Sequence, residues 1–161
     1  MCSEISGGAS PVKSLVLVQG AFSHFAFAES LPHDRARGGA LAGMARRVDG
    51  PLVVTHTVHD TAVGNLYPLA SVVSQEDAAA LEDRLYRWGA MGHDGAQAVG
   101  AAEARLGRPG QAYQVSAGKF LNLNGDDVLK TGQPPSGAHS DIFHPEIAWA
   151  TLVAAGMPSS K

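Results

Sequence analysis

Residues 51–64 read PLVVTHTVHDTAVG, and they carry the first indication of the fold class. It begins with a short apolar run from Pro51 to His56, and strands tolerate a proline at their first residue. An apolar run of this length without alternation predicts a strand buried on both faces, as in parallel sheets. A second such run, SLVLVQG, spans residues 14–20 and closes with a glycine. The two runs predict an α/β protein with a mostly parallel sheet.

The segments around these two strands predict helices that alternate with further strands, which is the order of parallel βα units. The remaining predicted elements are, in chain order, a helix over 39–47, a helix over 77–86, a short strand within 84–95, a helix over 96–107 and a strand-like region over 111–137. In the last region, Asn124 and Gly125 form a possible hairpin turn. The final helix begins with Pro145, after a cap at His144, and ends at Gly156.

Length, charge and cysteine content limit the classes of function. The 161 residues suffice for a single domain over 1–161. The net charge of -3 offers no basic surface, so we expect no nucleic-acid partner. One cysteine excludes an internal disulfide, which suits a reducing compartment. No segment has the pattern of a signal peptide or a membrane span, so we expect a cytoplasmic protein without membrane contact.

Polar side chains stand where the chain leaves the predicted strands. The carboxyl ends of parallel strands are where ligands bind in open sheets. These exits carry Ser23 with His24, His59 with Asp60, and His93 with Asp94. A carboxylate at a strand exit and a histidine on a later loop are two parts of a nucleophile, base and orienter system. Asp60 is the candidate carboxylate, and both His93 and His139 are candidate bases.

Two stretches resemble segments of the α/β-hydrolase superfamily. PLVVTHTVHDTAVG is similar to the strand and loop that carry the acid, and GAHSDIFHPEIAWATLVAAG (137–156) is similar to the final histidine loop and helix. Together with SLVLVQGAFSHFAFA (14–28), the whole chain resembles the C-terminal half of α/β-hydrolase-like proteins of actinobacteria. The resemblance implies a partial three-layer sandwich with a mostly parallel sheet, and a lineage that hydrolyses ester or acyl bonds of a small-molecule substrate.

By this resemblance Asp60 takes the acid position of a Ser-Asp-His triad and His139 the base position, in the chain order that the fold prescribes. The Gly-x-Ser-x-Gly nucleophile elbow is absent from the sequence. Ser23 is a poor substitute, because the bulky Phe25 stands where the strained elbow needs a small residue. We therefore expect a truncated, esterase-like chain that lacks the nucleophile-bearing half. The alternative is a catalytically inactive remnant, or a module that binds a small molecule or a protein.

Two alternatives at the site stay open from the sequence. His93 is closer to Asp60 along the chain, which favours it as the base, whereas the following helix and the resemblance favour His139. The stretch 55–61 is also similar to the His-x-His-x-Asp-His pattern of metallo-β-lactamase-like hydrolases, but only His56 and Asp60 match it. A zinc site needs three or four protein ligands, so we expect no metal.

Glycine-rich phosphate loops are also absent from the sequence, so we expect no cofactor. A half domain would leave the strand within 14–20 unpaired on one side. Unpaired strand edges invite pairing with another chain. The sequence therefore predicts a possible homo-oligomer through this exposed sheet edge.

Overall fold

A computed structural model describes residues 10–66 and 86–157 of the chain. Within these ranges four strands form one sheet: β1 Leu15–Val18, β2 Leu52–His56, β3 Ala102–Arg105 and β4 Phe120–Asn124. Their order across the sheet is β1-β2-β4-β3, and every neighbouring pair is parallel. This arrangement confirms a mixed α/β fold with a parallel sheet.

Short helices connect these strands. The described residues include the α-helices α1 Met91–Asp94 and α2 Pro145–Ala154, with single 3-10 turns at Met44–Arg47 and Gly137–Ser140 and a π-helical segment at Ala62–Leu66. The helix expected over 39–47 is reduced to its last four residues. The helix expected over 77–86 lies outside the described residues except at its end. Among the residues that the structure describes, no helix combines the length and apolar character needed to cross a bilayer.

The core lies on both faces of the two central strands, β2 and β4. Successive side chains of a strand point to opposite faces, so Val53 faces one layer while Leu52 and Val54 face the other. On the first face, the buried residues include Val53, Leu121, Leu123, Ile147, Ala150 and Val153. On the second face, they include Phe27, Val48, Leu52, Val54, Met91 and Phe120. Burial of each large apolar side chain contributes roughly 1.5–3 kcal/mol, which fixes the sheet as the scaffold of the site.

The prediction for residues 84–107 is wrong in both of its elements. The expected third strand within 84–95 is replaced by the single helical turn α1, and the expected helix over 96–107 is replaced by β3. Ala98 and Gly100 both have positive φ values, which end any helix there. β3 is an exposed edge strand whose backbone bonds come from β4, so it needs no apolar run.

Two local predictions near the C-terminus also need correction. Asn124 and Gly125 do not form a hairpin turn, because both neighbours of β4 are parallel to it, and the Gly125 amide donates to the His56 carbonyl at 2.8 Å. The final helix is confirmed, with Pro145 at its start and His144 at its N-cap. The His144 side chain does not cap it, however, since its Nε2 pairs with Asp141 Oδ1 at 2.8 Å.

β1 differs from the prediction in its burial. Its four residues are half-buried instead of buried on both faces, because the strand lies at the edge of the sheet formed by the described residues. β2 is its hydrogen-bonded neighbour on one side. The expected unpaired edge of this strand is therefore present in the described part of the chain.

Candidate functional site

The candidate site lies at the carboxyl edge of the sheet. β1, β2 and β4 are adjacent and parallel, so the segments that follow them emerge at the same edge. Gln19 directly follows β1, Asp60 lies in the loop after β2, and His139 lies in the 3-10 turn Gly137–Ser140 beyond β4. The fold thus brings together residues that are far apart in sequence.

Asp60 and His139 are in direct contact. Asp60 Oδ2 lies 2.9 Å from His139 Nδ1, across 79 positions of sequence. The Asp60 side chain is fully buried, whereas that of His139 is 33% exposed. No hydrogen bond to His139 Nε2 is formed by the described residues. The pair therefore consists of a buried carboxylate and a partly exposed imidazole with its second nitrogen open.

Further hydrogen bonds fix the Asp60 carboxylate. Gln19 Nε2 donates to Oδ2 at 3.2 Å, and the Val63 amide donates to Oδ1 at 3.2 Å. An amide N–H only donates, so both carboxylate oxygens act as acceptors. The same Oδ2 faces His139 Nδ1, and this ring nitrogen therefore carries a hydrogen. Three donors in total hold a carboxylate that has no contact with solvent.

Sequence reasoning missed Gln19. It is buried, and its φ of 48° lies in the left-handed region, which costs a non-glycine residue about 1–3 kcal/mol. Its Oε1 atom is buried, and no residue in the described part of the chain forms a hydrogen bond with it. The signal was available, because Gln19 is a polar residue at a strand exit, the same criterion that singled out Asp60.

The loops that carry the two residues are joined by backbone hydrogen bonds. The Ala138 amide donates to the His59 carbonyl at 2.9 Å, and the Ala62 amide donates to the Ser136 carbonyl at 3.1 Å. Gly137 has a φ of 57°, and a Cβ atom there would lie 2.3 Å from the His59 oxygen. Only glycine allows this close approach. The position of His139 is thus fixed by its backbone as well as by its ring.

His93 pairs with a different carboxylate. Its Nδ1 lies 2.8 Å from Asp94 Oδ1, while Asp94 Oδ2 lies 2.9 Å from Nδ1 of the buried His24. Burial alone would raise the pKa of Asp94, but the hydrogen bonds from the two imidazoles outweigh it and hold that pKa far below its usual range. The hydrogen bond to Asp94 raises the pKa of His93. Of the two candidate bases, the one in contact with Asp60 is His139.

A cavity of about 500 Å³ opens next to the loop that carries Asp60. Its lining residues are His24, His56, Val58, Gly64, Tyr86, Gly89, His93, Asp94 and Gln97.

Ser23 lies in the neighbouring loop, and its Oγ accepts a hydrogen bond from the Phe25 amide at 3.2 Å. Across residues 10–66 and 86–157, no three histidine, cysteine or acidic side chains are grouped so that they could hold a metal ion.

The fold and the site define a mixed α/β protein with a buried carboxylate and a paired imidazole at the carboxyl edge of a parallel sheet. No protein family, curated protein or solved structure matches this chain.

Proposed function

We propose that this chain carries the acid and base of an ester or acyl hydrolase of the α/β-hydrolase type, with Asp60 as the acid and His139 as the base. The observation that supports this role is the 2.9 Å contact between Asp60 Oδ2 and His139 Nδ1. The topology supports it further, because the two residues follow neighbouring parallel strands, β2 and β4. The three-layer sandwich of that superfamily and a cytoplasmic location belong to the same proposal.

The hydrogen-bond pattern gives each residue its role. Since Nδ1 of His139 carries the hydrogen shared with Asp60, Nε2 of the neutral ring holds a lone pair. That lone pair can take the proton of an attacking hydroxyl or water, and the resulting imidazolium can return it to the leaving alcohol. Asp60 holds the ring in this tautomer and stabilises its positive charge.

Gln19 is a positioning residue in this proposal. It contacts the same oxygen of Asp60 that faces His139, so it limits how far the carboxylate can rotate away from the ring. Its strained backbone places the amide there directly after β1. The surrounding structure must hold Gln19 in this conformation, and such strain clusters at functional sites.

The 161 residues contain no Gly-x-Ser-x-Gly elbow, so the proposal assigns the acid and the base and leaves the nucleophile unassigned. An activated ester such as p-nitrophenyl acetate still tests the pair. An imidazole Nε2 can attack its carbonyl directly, releasing p-nitrophenolate, and water then hydrolyses the acyl-imidazole. Alternatively the imidazole deprotonates the attacking water. Neither route needs a serine.

The test compares p-nitrophenyl acetate hydrolysis by the unchanged chain and by His139→Ala, with His144→Ala as the matched control. His144 also pairs with an aspartate, Asp141, at 2.8 Å, but it lies at the start of α2 and not at the site. We expect His139→Ala to lose most of the turnover and His144→Ala to keep it. Equal turnover by the two variants contradicts the proposal.

A second candidate function is a binding module without catalysis, which the missing elbow and the 500 Å³ cavity favour. Absence of any turnover above buffer in the unchanged chain supports this candidate over the first. In either case the partner is a small molecule.

We also propose that the edge of β1 pairs two copies of the chain. A monomer at high concentration in size-exclusion chromatography contradicts that pairing.

A further inference from the structure

The cavity beside the Asp60 loop contains a buried ring nitrogen without a partner. His56 Nδ1 lies 3.3 Å from the backbone carbonyl of His93, which only accepts, so Nδ1 donates. The Nε2 atom of His56 is buried, and none of the described residues forms a hydrogen bond with it. Glu103 Oε2 lies 3.8 Å from it, beyond hydrogen-bond distance. A buried polar atom without a partner is costly, which points to a ligand group or a water at this position.

A second ring nitrogen in the same cavity is kept open by a glycine. His93 uses Nδ1 to bind Asp94, and no hydrogen bond to its Nε2 is formed by residues 10–66 or 86–157. A Cβ atom at Gly64 would lie 2.8 Å from this Nε2 and 2.3 Å from Cδ2 of the same ring. Gly64 does not have a positive φ, so its backbone does not require glycine. What the missing side chain provides here is access to His93.

The charges around the cavity disfavour an anionic ligand, and Asp94, the carboxylate among the described lining residues, offers no free oxygen to a cationic one. Both oxygens of Asp94 are already bound by imidazole nitrogens, so this carboxylate is not available to an organic cation. No lysine or arginine is among the described residues that line the cavity. The negative charges of Asp60 and Asp126 also act on His93, and Glu103 lies near His56. An organic anion would therefore enter a region with several carboxylates and, among the described lining residues, no lysine or arginine.

We propose that this cavity binds a small uncharged molecule that carries hydroxyl groups, with Nε2 of His56 and Nε2 of His93 as its polar contacts. A hydroxyl donates and accepts, so it can satisfy each ring nitrogen whether or not that nitrogen carries a proton. Val58 and Tyr86 are about half exposed in the same lining, where they offer apolar surface to a carbon skeleton. The volume of about 500 Å³ is within the usual range for small-molecule sites.

This inference does not depend on the proposed hydrolase activity, because His139 does not line the cavity. The test uses three probes with the same ring skeleton: cyclohexane-1,2-diol, cyclohexanecarboxylate and cyclohexylammonium. Each is titrated into protein with isotope-labelled histidine rings, and the ring signals are followed by NMR. We expect the diol to shift the His56 and His93 signals saturably, with an affinity about tenfold or more above that of either charged probe.

Two variants locate the binding. Gly64→Ala keeps every polar atom of the cavity and fills the space over His93, so diol affinity should fall about tenfold or more. His56→Phe keeps a ring and removes its nitrogens, and should also weaken binding of the diol. His144→Ala, outside the cavity, should leave the affinity unchanged. Amide spectra verify that each variant is folded.

Three results would overturn the inference. One is tighter binding of the carboxylate or the ammonium probe than of the diol. Another is diol affinity that is the same in folded Gly64→Ala as in the unchanged chain. The third is no saturable shift of the His56 and His93 signals up to the solubility of the diol, which would leave water as the partner of these nitrogens.

Discussion

The Asp60–His139 pair and the His93–Asp94 pair both lie near the carboxyl edge of the sheet, and they are built differently. Asp60 and His139 come from two loops 79 positions apart, and the carboxylate is fully buried. His93 and Asp94 are adjacent in sequence, and the side chain of Asp94 is 33% exposed. In both pairs the bond uses Nδ1 of the ring. The similar contact hides a difference in what each carboxylate does.

The difference lies in how many imidazoles each carboxylate serves. Asp60 binds one imidazole and is otherwise held by uncharged amide donors, from Gln19 and Val63. Asp94 divides its two oxygens between two imidazoles, those of His93 and His24. A carboxylate that serves one ring can orient it and balance its charge through a reaction cycle. A carboxylate shared between two rings, such as Asp94, instead connects α1 to the loop that carries His24.

The largest expected effect is on hydrolysis by His139→Ala. Removal of a general base typically lowers the rate by about 100-fold to 10,000-fold. We therefore expect His139→Ala to lower kcat for p-nitrophenyl acetate by a factor in that range, and His93→Ala to lower it much less. Steady-state kinetics of the two variants make the comparison. A larger loss in His93→Ala than in His139→Ala would transfer the role of base to the other pair.

The next effect is on stability, through Asp60→Ala. This variant leaves three donors without their acceptor in a fully buried position. We expect the free energy of unfolding to fall by about 2–6 kcal/mol, since the buried amides of Gln19 and Val63 each lose an acceptor and each buried unsatisfied group costs about 1–3 kcal/mol. Urea unfolding measures it. A loss within about 0.5 kcal/mol, typical of surface substitutions, would show that the buried bonds do not hold the loops.

A smaller effect, dependent on pH, is expected for Asp94→Asn. The folded-state pKa of His93 is raised, so the pairing of this ring with Asp94 stabilises the fold fully below about pH 6.5. This stabilisation is lost as the pH rises through the raised pKa of His93. The pKa of Asp94 is lowered, so the stabilisation that this carboxylate contributes is present above about pH 4 and is lost on further acidification. The stability difference between the unchanged chain and Asp94→Asn should therefore be widest between these limits.

Urea unfolding at about pH 5.5 and about pH 8.5 measures this difference. The stabilities of the unchanged chain and of Asp94→Asn should lie closer together at the higher pH. A difference that stays constant or widens toward alkaline pH contradicts the charged pairing of His93 with Asp94.

The smallest effect is expected for Asp127→Ala, which removes the pair with Arg105 at 3.0 Å. Both side chains are mostly exposed, and exposed pairs contribute about 0–1 kcal/mol. Urea unfolding should show a loss below about 1 kcal/mol that decreases with added salt. A loss as large as that of Asp60→Ala would mean that burial does not distinguish the pairs.

The sequence predicted the parts of the fold that depend on apolar runs. The apolar run PLVVTH indicates β2 in the sequence, because both faces of this strand are buried. β3 has no such signal, because it is exposed at the edge and its AEAR residues favour a helix when read without their neighbours. Pairing with β4 overrides that preference. The half-buried state of β1 depends on its position in the sheet, which a local pattern does not contain.

The contact between Asp60 and His139 was predicted, while its supporting groups were not. The two residues could be found because strand exits and chain order indicate where an acid and a base belong. The position of Gln19 at a strand exit was visible in the sequence, but its bond to Asp60 Oδ2 depends on the adjacency of β1 and β2. The link from Asp94 to His24 likewise depends on how α1 packs against the loop after β1.

The role of the Asp60–His139 pair can be tested through the tautomer of His139, read by NMR from its two ring nitrogens in histidine-labelled protein. We predict that the neutral ring carries its hydrogen on Nδ1, bonded to Asp60, with Nε2 unprotonated, and that Asp60→Asn alters this signal while Asp94→Asn does not. A neutral His139 with its hydrogen on Nε2, or an unchanged signal in Asp60→Asn, would contradict the account.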